Sequence, residues 1–174
     1  VPVVRREAKA GGRKLRAQFG LTCPIVFIDH HRCHAASAYF TQPEDDCLVM
    51  TEDCHGDGLS GTVSVASGGK LTRIAAFRAT ESLGSFYAAI TNHLGFHHHR
   101  HEGKVTGLAA YGDPEPARAD MERMIWWDAA ERRLHTRLGR NQFTGIERVA
   151  GLLSRAYPRE EIAAGAQQHL GRIV

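Results

Sequence analysis

With 174 residues, 43% of them hydrophobic and 24% charged, the chain has the balance of a soluble globular domain, or of one lobe of a larger one, and can bury a sizeable core. It holds no apolar run near the length of a membrane span, and its basic N-terminus lacks the apolar core of a secretion signal. A net charge of +3 is too mild to argue for nucleic acid, whereas a phosphate-bearing small molecule stays open as a ligand.

Residues 4–19 predict a helix, weakened by Gly11 and Gly12, with Arg13, Lys14 and Arg16 as a solvated basic face. Residues 24–28 are a short apolar run that reads as a buried strand. Asp29 then stands as a helix cap, opening a helix over 31–40. A polar loop around Pro43 follows, and the period changes from 3.6 to 2. Three β-rich runs, 47–51, 61–66 and 71–77, are separated by turn glycines, with Gly56, Asp57 and Gly58 in the first turn and Gly68 and Gly69 in the second. That pattern predicts an antiparallel meander.

Residues 82–94 read as a helix with Phe86, Ile90 and Leu94 at four-residue steps. A histidine-rich loop comes next: five of the 11 histidines fall between positions 93 and 101. Residues 102–111 read as a short helix or turn, and 114–127, 145–157 and 162–170 as helices. A Val start and a helix so close to the last residue read as the cut ends of a longer protein. Cys23, Cys33, Cys47 and Cys54 match neither a zinc ribbon nor a redox pair. They read as reduced thiols in a cytoplasmic protein.

Three constellations could carry chemistry. His30 and His34 lie four apart, so a helix puts both imidazoles on one face, about 5–6 Å between Cβ atoms. Two neutral imidazoles so placed can share a divalent ion, and a histidine-rich surface helix has the same spacing. No Glu follows His30, which excludes a zinc-protease motif. His31 sits about 100° round the helix and should point elsewhere. Asp53 ends a strand before the Gly56, Asp57, Gly58 turn, where exposed backbone N–H groups suit anionic oxygens and the carboxylate could complete a His–His–Asp set. Read alone, the segment is an ordinary polar hairpin. Glu102, Gly103 and Lys104 could deliver one ammonium to a phosphate, but the spacing is not that of a P-loop, and alone they read as a packed turn with an exposed ion pair. The run of His97, His98, His99 and His101 reads as a loop that picks up metal adventitiously.

Taken in order, these segments resemble the NodU/CmcH-type O-carbamoyltransferase family. The paired histidines and HAASAY at 34–39, the glycine hairpin, SLGSFYAAIT at 82–91, LGF at 94–96 and EGKVTGLAAYG at 102–112 carry the likeness. The resemblance implies an α/β fold of the actin-like ATPase class, built from two ribonuclease H-like lobes. Residues 1–44 would end the first lobe and 45–174 would open the second. It implies that carbamoyl phosphate and ATP give carbamoyl-adenylate in a separate C-terminal domain of the same polypeptide. The carbamoyl group then passes to a hydroxyl of a small-molecule acceptor, with a divalent metal, Fe(II), as Lewis acid. By position, His30, His34 and Asp53 match the family's metal ligands, and a further Asp ligand would lie past Val174. Gly56, Asp57, Gly58, Gly84, Glu102, Gly103 and Lys104 match regions lining the nucleotide and carbamoyl site. Cys54 departs from the family's usual Gly, and His55 adds a competing ligand. A threonylcarbamoyl- or hydrogenase-maturation-type carbamoyl transfer protein is the neighbouring reading. A non-catalytic actin-like nucleotide-binding module is the reading from another class, which the His–His–Asp set opposes.

Overall fold

The computed structural model describes residues 2–139 and 142–174. In chain order the elements are α1 (Pro2–Phe19), α2 (His30–Tyr39), β1 (Cys47–Gly56), β2 (Leu59–Ser67), β3 (Lys70–Arg78), α3 (Leu83–His93), α4 (Glu102–Ala109), α5 (Arg118–Met124), β4 (Ile125–Asp128), β5 (Arg133–Thr136), α6 (Gln142–Leu152) and α7 (Arg159–Ile173). The fold mixes helices with two antiparallel sheets, ordered β1-β2-β3 and β4-β5. None of the described helices is long and apolar enough to cross a membrane.

The expected meander forms, and its turns explain its register. Asp57 and Gly58 have φ of 52° and 84°, and Gly68 and Gly69 have 55° and 72°. Two consecutive left-handed residues give the tight turn whose twist matches the flanking strands. One face of the sheet is covered by α2, where Ala35 and Tyr39 pack on Val49 and Ala66. The Tyr39 hydroxyl donates to Asp45 Oδ1 at 2.7 Å and accepts from Gly69 N–H. It thereby ties the end of α2 to the second turn.

The larger core gathers around α3. Leu83, Phe86, Ile90 and Leu94 pack against Val105, Met121, Met124, Val149, Ala163 and Ala166. Ser82 caps α3 by accepting from Ser85 N–H at 2.9 Å, closing the first turn.

Three expectations need correction. Residues 24–28 form no strand and pair with no described strand, and Val26 is 78% exposed. Strand structure requires a pairing partner. Here the nearest support is α1, where the Phe27 ring comes close to Gly12. Residues 114–127 are not one helix. The helix stops at Met124 and Ile125 turns extended, with φ −150° and ψ 137°. The run Ile125, Trp126, Trp127 has strand-forming side chains and pairs with β5 in a hairpin that sequence reasoning missed. The helix expected over 145–157 ends at Leu152, and Pro158 opens α7 a few residues later.

Candidate metal centre

Three local features bring one candidate cluster together. Asp29 caps α2 by accepting from Arg32 N–H at 2.9 Å. Asp57, in the first hairpin turn, accepts from His30 N–H at 2.8 Å. The helix start is thus fastened to the tip of the β1–β2 hairpin. In β1, alternation puts Thr51 and Asp53 on the face that meets α2.

The result is a tight triad. His30 Nε2 lies 2.7 Å from Asp53 Oδ2 and 3.0 Å from His34 Nε2, and His34 Nε2 lies 3.7 Å from Asp53 Oδ2. All three ligand atoms fall within 4.8 Å of one another. His31 points away, as its place on the helix requires. It is fully buried, with Nδ1 3.0 Å from the Thr51 hydroxyl and Nε2 3.1 Å from the Leu59 carbonyl. A carbonyl only accepts, so His31 Nε2 carries the proton and Nδ1 accepts from Thr51.

As hydrogen bonds alone the triad asks much of His30 Nε2, which contacts both Asp53 and His34. His30 Nε2 has one in-plane position, holding either a proton or a lone pair. Facing Asp53 it needs a proton. Facing His34 Nε2 as well, it then meets either a second proton or a lone pair it must share with the carboxylate. A single cation at the centre resolves the conflict by accepting all three lone pairs. Tetrahedral bonds of about 2.1 Å place ligand atoms roughly 3.4 Å apart, and the three observed separations bracket that value. The donor set therefore fits a divalent ion, with two imidazoles, one carboxylate and coordination positions left open.

Charge supports the same reading. Partial burial alone would raise the Asp53 carboxyl, but the His30 hydrogen bond, the Cys54 N–H and the two imidazoles outweigh it and hold it below its ordinary value. The carboxylate is ionised at neutral pH and complements a cation. On the opposite face of β1, the Glu52 carboxyl reaches a cleft lined by Phe77, Leu83 and Trp127. Burial there, opposed by the Leu83 N–H and reinforced by Asp53, raises it to about 8.

Two glycines matched to the nucleotide and carbamoyl region shape the triad. A Cβ on Gly56 would sit 2.0 Å from His30 Cδ2, so only glycine leaves room for that imidazole. A Cβ on Gly84 would sit 2.8 Å from the Cys54 backbone, so glycine lets α3 start directly against the strand end. Glu102, Gly103 and Lys104 lie on α4, and no hydrogen bond or ion pair among the described residues joins them to the triad. Glu102 accepts from His99 N–H at 2.6 Å, and the Lys104 ammonium lies 5.9 Å from the centre of the Phe96 ring. The ring nitrogens of His97, His98, His99 and His101 form no convergent ligand group among the described residues. Sequence reasoning missed the part of Thr51 and the Leu59 carbonyl in locking His31. The period-2 alternation of β1 could have signalled Thr51. It also missed Asp57 as the partner of His30 N–H, a bond across the fold that no local pattern marks.

A model of the carbamoyltransferase N-terminus matches residues 3–174. The nodulation protein NolNO of Sinorhizobium fredii is 34% identical over 152 residues, covering 86% of this chain and 22% of that protein. The nodulation protein NolO of Bradyrhizobium diazoefficiens is 32% identical over 151 residues, covering 84% of this chain and 27% of that protein. An uncharacterised protein of Synechocystis is 37% identical over 92 residues, 53% of this chain and 15% of that protein. The chain thus spans under a third of the length of these relatives. With the match running over almost every residue, the chain belongs to the carbamoyltransferase family, to whose N-terminal region it corresponds.

Proposed function

We propose that this chain supplies the metal-binding part of an O-carbamoyltransferase acting on a hydroxyl of a small-molecule acceptor. The observation that carries the reading is the convergence of the His30, His34 and Asp53 ligand atoms within 4.8 Å on a partly exposed face. A divalent ion held there, Fe(II) by family resemblance, would supply Lewis-acid polarisation of the carbamoyl group.

The chain's own residues set up that chemistry. His30 and His34 present ring nitrogens from one helix face, while ionised Asp53 supplies charge. His31 pins α2 to β1 and β2, so that the ligands keep their spacing. Gly56, Asp57, Gly58 and Gly84 lie at the strand end and hairpin beside the triad, where carbamoyl-adenylate formed from carbamoyl phosphate and ATP would approach. Glu102, Gly103 and Lys104 are assigned to the same ligand from the α4 side. We place the chain in the actin-like ATPase fold class, with 1–44 closing a first ribonuclease H-like lobe and 45–174 opening a second. The carbamoyl-adenylate would come from a C-terminal domain of the same polypeptide, in the cytoplasm.

The test is transfer of labelled carbamoyl from carbamoyl phosphate, with ATP, to a panel of hydroxyl acceptors by the complete polypeptide. Transfer by the wild type and its loss in His34→Ala is the expected result. Undiminished transfer by His34→Ala would remove the metal from the mechanism.

A further inference from the structure

A second cleft, of about 280 Å³, opens on the other side of α2 from the triad. Its lining comprises His31, Arg32, Thr62, Ser64 and Arg73, with Ala35 and Leu71. None of these side chains is acidic. Arg32 is exposed, and its guanidinium makes no ion pair or hydrogen bond among the described residues. Arg73, opposite Ser64 in the β2–β3 register, is held by Asp29 Oδ1 at 2.6 Å. Asp29 is the nearby carboxylate, and its Oδ1 is already taken by Arg73 and by the Arg32 N–H.

The cleft floor supplies the second observation. Ser64 is only 5% exposed, lines the cleft, and its hydroxyl has no hydrogen-bond partner among the described residues. The neighbouring Thr62 hydroxyl is committed to Thr51 Oγ1 at 2.8 Å, and both His31 nitrogens are engaged. The Ser64 hydroxyl opens to the cleft rather than being sealed off, so it is free to hydrogen-bond a ligand that enters. An unpaired guanidinium beside it offers a planar fork of donors, the geometry that recognises oxyanions.

We propose that this cleft binds a phosphoryl group of a small ligand, with Arg32 as the principal donor, Ser64 as a donor on the cleft floor and Arg73 as a supporting positive charge. The site lies behind His31, apart from the triad, and holds its ligand without metal. Its existence does not depend on the carbamoyl-transfer reading.

The experiment is calorimetric titration of the complete polypeptide with inorganic phosphate and, separately, with AMP, in the presence of a chelator. Saturable binding is expected to weaken about tenfold in Arg32→Gln, as loss of a charge-assisted contact implies. Ser64→Ala should weaken it less, and Arg100→Gln, in the histidine-rich segment before α4, should leave it unchanged. Tighter binding of AMP that keeps the Arg32 dependence identifies a nucleotide as the source. Equal or weaker binding of AMP identifies free phosphate, and either supports the site. Absence of saturable binding of both probes, binding abolished by the chelator, or equal affinity in Arg32→Gln would overturn it. Arg32 is exposed and Ser64→Ala removes one atom, so both variants should fold.

Discussion

Two aspartates in this chain gather partners in opposite ways. Asp120 is 2% exposed, and its oxygens accept from Arg123, Ser154 N–H, the Ser154 hydroxyl and the Tyr157 hydroxyl. Every partner is a donor, so the network closes on itself. Asp53 is 36% exposed and faces two imidazole nitrogens that also contact each other, so the three compete for His30 Nε2. A closed network fastens α5 to the segment after α6. An open, competing one leaves ligand atoms for something else. The same contrast separates His31, buried with both nitrogens engaged, from its helix neighbours His30 and His34.

The contrast breaks most visibly at Asp120. Asp120→Ala strands several buried donors, and a loss of about 3 kcal/mol is expected in denaturant titration. Burial alone would raise the Asp120 carboxyl, but the Ser154, Tyr157 and Arg123 contacts hold it below its ordinary value of 3.8. A depressed carboxylate stabilises the fold above its ordinary value and loses that contribution as pH falls through the folded one. Wild type should therefore lose stability below about pH 4 more steeply than Asp120→Asn, which a pH series of unfolding midpoints would show.

His31→Ala comes next. It should cost about 2–3 kcal/mol, from the cavity and from the lost hydrogen bonds to Thr51 and the Leu59 carbonyl. Metal affinity should weaken only through looser placement of α2. Gly56→Ala sharpens the other half of the comparison. Its new methyl must displace the His30 ring, a movable side chain rather than backbone. Metal binding should weaken by about 10–100-fold, with stability changed by roughly 1 kcal/mol or less. Calorimetry with a divalent ion, beside thermal unfolding, separates the two effects. His99→Ala, on the loop outside the triad, should move neither.

Much of this was legible in the residues. Asp29 announced the start of α2, the four-residue steps of Phe86, Ile90 and Leu94 announced α3, and the turn glycines announced the hairpin turns. The i, i+4 spacing of His30 and His34 predicted a shared face, and the place of His31 on the helix predicted that it would point away from them. Long-range placement was less readable. The apolar run at 24–28 looks like a strand because composition reports side chains, whereas strands are made by partners. Trp126 and Trp127 followed a helical pattern until the hairpin with β5 pulled them extended. The closeness of Asp53 to α2 depends on Gly56 and Asp57 acting across the fold, where no local periodicity reaches.

The most direct measurement is metal stoichiometry of the complete polypeptide after chelation and reconstitution with Fe(II), for wild type, His34→Ala, Asp53→Ala and His99→Ala. One ion per chain in wild type and His99→Ala, with none in His34→Ala or Asp53→Ala, is the expected result. A full equivalent of iron retained by His34→Ala would contradict the assignment of the triad as the metal centre.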